Sequence, residues 1–260
     1  MITSTSNPRI REARKLQRAR QRRQQGRLLI EGIRLVDDTW HAGVRPEELF
    51  FLPDALAANP RAQALLAELD ARGIDCIPCT NNVLAALSET VTPQGIVAVV
   101  PLPVLPLPAQ PSLVMVLDRV REPGNAGTLL RTAEAAGVEL AVFAPNSVDP
   151  FNDKALRAGM GAHFRLPLRV CASWAEVCEL LGPQLSLYLA DTAGELAYDH
   201  VDWRQPATLV VGGEADGASK DARSMATAIT IPMLGAAESV NAGVAGAVIL
   251  FEAARQRRSR

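Results

Sequence analysis

Apolar and polar positions alternate along this chain in two stretches, separated by a segment rich in proline. Before residue 101, short apolar patches predict strands at 27–31, 48–52, 74–78 and 95–100, and helical spacing predicts helices at 34–41, 60–72 and 82–87. Residues 7–26 read as one basic helix, opened by Asn7 and Pro8 and stopped at Gly26. After residue 111 the alternation resumes, with strands expected at 113–117, 140–143, 185–190, 208–211 and 228–231. The intervening helices are expected at 126–136, 153–159, 174–181, 218–226 and 242–256. Strand and helix in strict alternation imply an α/β fold, and the second stretch implies a mostly parallel sheet covered by helices on both faces. Between the two, PLPVLPLPAQP holds five prolines, which remove backbone donors and favour an extended linker. The expected organisation is a small α/β domain over 1–100, a linker over 101–111 and a larger domain over 112–260.

Composition narrows the class. A chain of 260 residues, 48% hydrophobic, is long enough for two cores. Charges interrupt every apolar run before the ~20 residues a bilayer crossing needs. The first residues lack the apolar middle of a secretory signal, and four cysteines suit a reducing compartment, so a cytoplasmic protein is expected. The net charge of −1 conceals an asymmetry. Residues 1–34 carry ten Arg or Lys against two Glu, and residues 255–260 carry four Arg, leaving the body strongly acidic. Basic ends on an acidic body suit a protein that grips a polyanion, although a merely solvated, charge-rich helix would read the same way.

Three segments carry candidate chemistry. REPGNAGTLLRTAEAAG (121–137) follows a predicted strand. Pro123 and Gly124 make a turn, Asn125 can cap the helix, and Arg131 falls in the second helical turn, where it could lean back over the helix start. VVGGEADG (210–217) runs a strand into two glycines and a carboxylate, at the place where open α/β sheets bind ligands. Gly212, Gly217 and Ser219 keep the spacing of a phosphate-binding loop, but Ala218 stands where its lysine belongs, and G-x-G-x-x-G is absent, which argues against nucleotide hydrolysis and nicotinamide chemistry. The third, IPMLGAAESVNAGVAGAVILFEAAR (231–255), passes from strand through a loop into a helix of small residues that allows close packing.

In this order the three segments resemble the signature motifs of the SpoU (TrmH-type) ribose methyltransferases of the SPOUT superfamily. The family's N-x-G-x-x-x-R-x-A appears as Asn125, Gly127, Arg131 and Ala133, and its G-x-E-x-x-G as Gly212, Glu214 and Gly217. Its third motif appears as Ile231, Pro232, Met233, Gly235, Ser239, Val240, Asn241, Val244 and Ala245, with Val240 in place of the usual Leu, and Ala242 and Gly243 in place of Val and Ser. The segment 154–167 also looks like the family's intermediate region. More weakly, SNPRIREARKL followed by RLLIEGIRLV resembles the substrate-binding domain that many members carry.

The resemblance implies a trefoil-knotted parallel-sheet domain that wraps S-adenosylmethionine (AdoMet), and a homodimer formed through the C-terminal domain. It also implies methylation of a ribose 2′-hydroxyl in structured RNA, above all 23S ribosomal RNA. The same motifs serve transfer RNA or an antibiotic-resistance site on rRNA, and a non-catalytic RNA-binding protein could share the fold. Carried over residue by residue, Arg131, Asn125, Glu214, Ser239 and Asn241 would be catalytic. Thr192, Gly212, Gly217, Ile231, Met233 and Val240 would meet the cofactor. Arginine stays protonated to a pKa of roughly 12.5 or more, so Arg131 suits stabilising a forming alkoxide better than acting as a base. No metal is expected: Cys76 and Cys79 form a lone C-x-x-C, Cys171 and Cys178 are further apart, and all four are expected to be buried thiols. His41, His163 and His200 stand isolated, and Lys154 and Arg157 read as well as a solvated helix face as they do as RNA contacts.

Overall fold

A computed structural model describes residues 1–57, 59–90, 93–214 and 216–258, so Arg260 of the C-terminal basic run lies outside the described residues. The chain forms two compact units, 1–103 together with 151–164, and 104–150 together with 165–260.

The first unit opens with α1 (Pro8–Lys15) and α2 (Ala19–Gln25). The expected single helix over 7–26 is therefore two. No Gly or Pro interrupts it between Pro8 and Gly26, but Arg22 turns inward and its guanidinium donates to the carbonyls of Leu16 (3.0 Å) and Gln17 (2.9 Å), capping the open end of α1. Asn7 accepts from the Arg9 amide and Pro8 supplies the fixed first φ, as expected of a helix start. There follow β1 (Arg27–Glu31), α3 (Ile33–His41), β2 (Glu48–Phe51), α4 (Pro53–Leu56), α5 (Pro60–Ala71), β3 (Asp75–Pro78), α6 (Asn81–Leu87) and β4 (Ile96–Pro101). The sheet runs β1-β4-β2-β3, with β4 antiparallel to both neighbours and β2 parallel to β3. Alternation along β4 divides two cores. Ile96, Ala98 and Val100 pack with Leu65 and Leu69 of α5, whereas Val97 and Val99 pack with Ile10 of α1 and Leu84 of α6. Leu156 and Phe164 join the α5 side, so residues 151–164, assigned by the linker position to the second domain, belong to the first unit.

The second unit contains β5 (Leu113–Asp118), α7 (Pro123–Ala135) and β6 (Leu140–Phe143) before the chain enters the first unit, where it forms α8 (Asp153–Gly159). It resumes with β7 (Leu168–Val170), α9 (Trp174–Leu181), β8 (Ser186–Ala190), β9 (Leu196–Ala197), β10 (Ala207–Gly212), α10 (Lys220–Met225), β11 (Thr227–Thr230) and α11 (Ala242–Arg258). All pairings in the order β7-β6-β5-β10-β8-β11-β9 are parallel. β5 is buried on both faces, which is why it reads as one apolar run. Val114, Val116 and Val210 face α9 and α10. On the opposite side α11 lies so close to α7 and β10 that a Cβ on Gly246 would stand 2.3 Å from the Leu129 side chain and 3.4 Å from that of Val211. The short edge strands β7 and β9 were not anticipated from the sequence. Among the described residues no helix is long and apolar enough to cross a membrane.

Candidate active site

Strand order turns outward in both directions from the β5–β10 pair, and at such a point the loops beyond the carboxyl ends diverge and leave a crevice. The loops after β8, β10 and β11 and the first turn of α11 enclose a cleft of about 430 Å³ there. Nine of the residues singled out in the sequence line it: Thr192, Gly212, Glu214, Gly217, Ile231, Met233, Ser239, Val240 and Asn241. Asp191, Arg223 and Ile249 also line it and were not singled out.

Backbone proximity explains the glycines. A Cβ on Gly212 would lie 2.7 Å from the Ala218 nitrogen, and one on Gly213 would lie 2.2 Å from the Arg119 carbonyl oxygen. The loop after β10 therefore closes on itself at Gly212, and lies against the residue that follows β5 at Gly213, only because these positions lack a side chain. The loop is anchored by Asp118, fully buried at the end of β5, whose carboxylate accepts from the Ser219 amide at 2.5 Å and from the Trp174 indole N–H at 3.2 Å. On the far wall the Arg223 guanidinium is paired with Asp191.

All three motif segments meet at one corner. Asn125, in the first turn of α7, donates through Nδ2 to Oε1 of Glu214 at 2.5 Å, although the two are 89 residues apart in sequence. Asn241 accepts from the amides of Gly243 (2.8 Å) and Val244 (3.3 Å), which caps α11. A Cβ on Gly243 would stand 3.1 Å from Oδ1 of Asn241 and 3.5 Å from Oδ1 of Asn125, so the two helices begin side by side.

Arg131, which could lean back over the start of α7, lies nearly two turns beyond Asn125, is exposed, and does not line the cleft of this chain. A second hollow of about 400 Å³ adjoins the cleft and shares Glu214 with it; Arg119, Arg121, Glu122, Asn125 and Asp216 complete its lining. The two arginines that follow the end of β5 were not singled out in the sequence.

The expected basic arms are partly structural. Besides Arg22, Arg9 pairs with Glu48 (3.0 Å) and Asp75 (2.5 Å), and Arg257 donates to Ser112, Trp203 and Gln205, pinning the end of α11. Arg11, Arg14, Arg18, Arg20 and Arg23 remain exposed. The cysteines also depart from expectation, since Cys178 is exposed. Cys76 packs toward the α5 core and Cys79 toward the α1 core, because a spacing of three places them on opposite faces of the sheet. Burial pushes both thiols up to about 11. Among the described residues no cluster of His, Cys, Asp and Glu could hold a metal ion.

Comparison with known proteins agrees with this geometry. Residues 112–251 match the SpoU rRNA Methylase family, and residues 7–98 match the MRM3-like substrate binding domain. An uncharacterized tRNA/rRNA methyltransferase of Synechocystis sp. is 33% identical, over 98% of this chain and 93% of that protein. The 23S rRNA (guanosine(2553)-2′-O)-methyltransferase RlmP of Bacillus subtilis is 30% identical, over 96% of this chain and 97% of that protein. The crystal structure of the SpoU methyltransferase AviRb from Streptomyces viridochromogenes in complex with AdoMet superposes with a TM-score of 0.81 at 27% identity, covering 98% of this chain and all of that one. With its cleft lined by the second and third motif segments, its first motif joined to them through Asn125 and Glu214, and its matched region spanning more than half its length, the chain belongs to the SpoU rRNA methylase family.

Proposed function

We propose that this chain works in the cytoplasm, transferring a methyl group from AdoMet to a ribose 2′-hydroxyl of 23S ribosomal RNA. The observation that carries the reading is the meeting of Asn125, Glu214 and Asn241, from three distant segments, at the mouth of one cleft. A cleft of about 430 Å³ is in the size range of small-cofactor sites. Its apolar wall of Ile231, Val240 and Ile249 suits a purine, and its carboxylates suit ribose hydroxyls and an amino group. Gly212 and Gly213 line it with bare backbone. When bound, AdoMet supplies a methyl carbon activated by its sulfonium. Asn125 and Glu214 fix each other and present an amide and a carboxylate to the acceptor sugar.

Arg131 serves this chemistry from a second copy. It is exposed and has no hydrogen-bond or ion-pair partner among the described residues. On the neighbouring helix α11, Val244 (50% exposed), Val248 and Phe251 (53%) form an apolar stripe at helical spacing that begins next to the cleft-lining turn. A homodimer through this face covers the stripe and carries the partner's Arg131 to the rim of the cleft. There a fixed positive charge stabilises the oxygen as it loses its proton.

Arg131→Ala should lower methyl transfer to rRNA by about 10²–10³-fold while leaving AdoMet affinity nearly intact. Equal loss of both in a transfer assay and calorimetry would remove Arg131 from the acceptor side. Mixing Arg131→Ala chains with Asn241→Ala chains should restore transfer that neither shows alone, because one site of the mixed dimer then keeps both groups.

A further inference from the structure

The hollow beside the cleft has a guanidinium end and an amide-carboxylate end. At one end, Arg119 (Nη2) and Arg121 (Nη1) both contact the same oxygen of Asp216, Oδ2, at 2.9 and 3.1 Å. At the other end stand Asn125 and Glu214, already joined to each other, with Glu122 between the two groups along the chain. A single anionic oxygen bridging two guanidiniums is the arrangement a phosphate oxygen adopts, and Asp216 is half-exposed and free to rotate away. The fold builds the arginine end deliberately. Arg119 has a left-handed backbone (φ 61°), rare for a long side chain, and its carbonyl abuts Gly213, so its direction is fixed by the junction of β5 with the loop after β10.

We propose that Arg119 and Arg121 seat an RNA phosphate next to the target ribose, and that Asp216 occupies this seat until RNA displaces it. The inference rests on the methyltransferase reading and extends it to the acceptor. An anion at the arginine end and sugar hydroxyls at the Glu214 end match a sugar-phosphate unit, and the shared Glu214 sets that sugar at the junction with the donor cleft. Glu122, Glu214 and Asp216 outnumber the two arginines, so the seat attracts no anion over a distance. It accepts a phosphate only in the bridging position, once Asp216 has withdrawn.

The test is binding of an in vitro transcript of 23S rRNA, without AdoMet, across a series of KCl concentrations, with AdoMet affinity measured in parallel by calorimetry. Arg121→Ala removes an exposed side chain and should weaken RNA binding about tenfold. Arg119→Asn, which tolerates the left-handed backbone, combined with Arg121→Ala should lower the slope of log affinity against log salt by about 1. Asp216→Asn should tighten RNA binding about threefold. AdoMet affinity should hold in all three. An unchanged salt slope in the double variant, weaker RNA binding by Asp216→Asn, or AdoMet affinity falling in step with RNA affinity would each overturn the proposal. A wild-type chain that binds the transcript but transfers no methyl group to RNA would count against the methyltransferase reading alone, because the salt slope decides the seat independently.

Discussion

Glu31 and Asp118 are buried carboxylates at the ends of comparable strands, β1 in the first unit and β5 in the second, yet one closes its strand end and the other helps to open it. Glu31 accepts from the hydroxyls of Ser88 (2.7 Å) and Thr90 (3.0 Å) and from the Gln94 amide (3.1 Å), so polar side chains crowd over the strand end. Asp118 instead accepts from the Ser219 amide, at the far end of the loop after β10, and from the Trp174 indole, and Gly212 and Gly213 at the near end of that loop line the cleft. The carboxylate is the same anchor in both places. What stands between the anchor points decides whether the result is a plug or a binding cleft.

The largest effect should come from Asp118→Ala. It leaves the buried Trp174 indole and the half-buried Ser219 amide without an acceptor, which should cost about 3 kcal/mol in denaturant unfolding and lower AdoMet affinity by at least about tenfold. Glu31→Ala strands one backbone amide, while Ser88 and Thr90 can still bond each other at 2.8 Å, so about 2 kcal/mol is expected. AdoMet affinity should not change in that variant, and a matching loss would break the contrast between plug and cleft. The smallest effect concerns the thiols of the first unit. Cys76 and Cys79 stay protonated to about pH 11 in the fold but ionise near the ordinary value of 9.0 when unfolded. The unfolded chain therefore holds fewer protons in that window, and stability should fall as pH rises from 9 toward 11. At pH 8 a thiol reagent should modify exposed Cys178 well before these two.

Much of this was legible because each unit buries its strands in the way its sequence announces. β5 and β10 are covered on both faces and read as unbroken apolar runs, and β4 divides its residues between two cores by simple alternation. Eight of the nine carried-over residues that line the cleft lie in the second and third motifs, and Thr192 came from the resemblance alone. What local pattern could not carry was the partner of each group. Arg22 reads as one more surface charge until its guanidinium is seen capping the neighbouring helix, and Arg257 reads as part of a basic tail until it is found on Ser112. The exposure of Arg131 eluded the sequence for a similar reason, since helical phase fixes its direction relative to Asn125 but not whether it borders the cleft. Arg119 and Arg121 become conspicuous only when Asp216, 97 residues beyond Arg119, closes on both.

The placement of residues 151–164 has a consequence for how the protein is made. Leu156 and Phe164 complete a core whose other members all precede residue 101, so a ribosome that has delivered the first four strands has not yet delivered enough to close it. The unfinished globule must wait while β5, α7 and β6 are synthesised, and assembly of the two units is interleaved in time even though they are distinct in space. Anyone grafting this N-terminal module onto another protein should therefore carry the later segment with it, since a cut at residue 103 removes apolar surface that only 151–164 supplies.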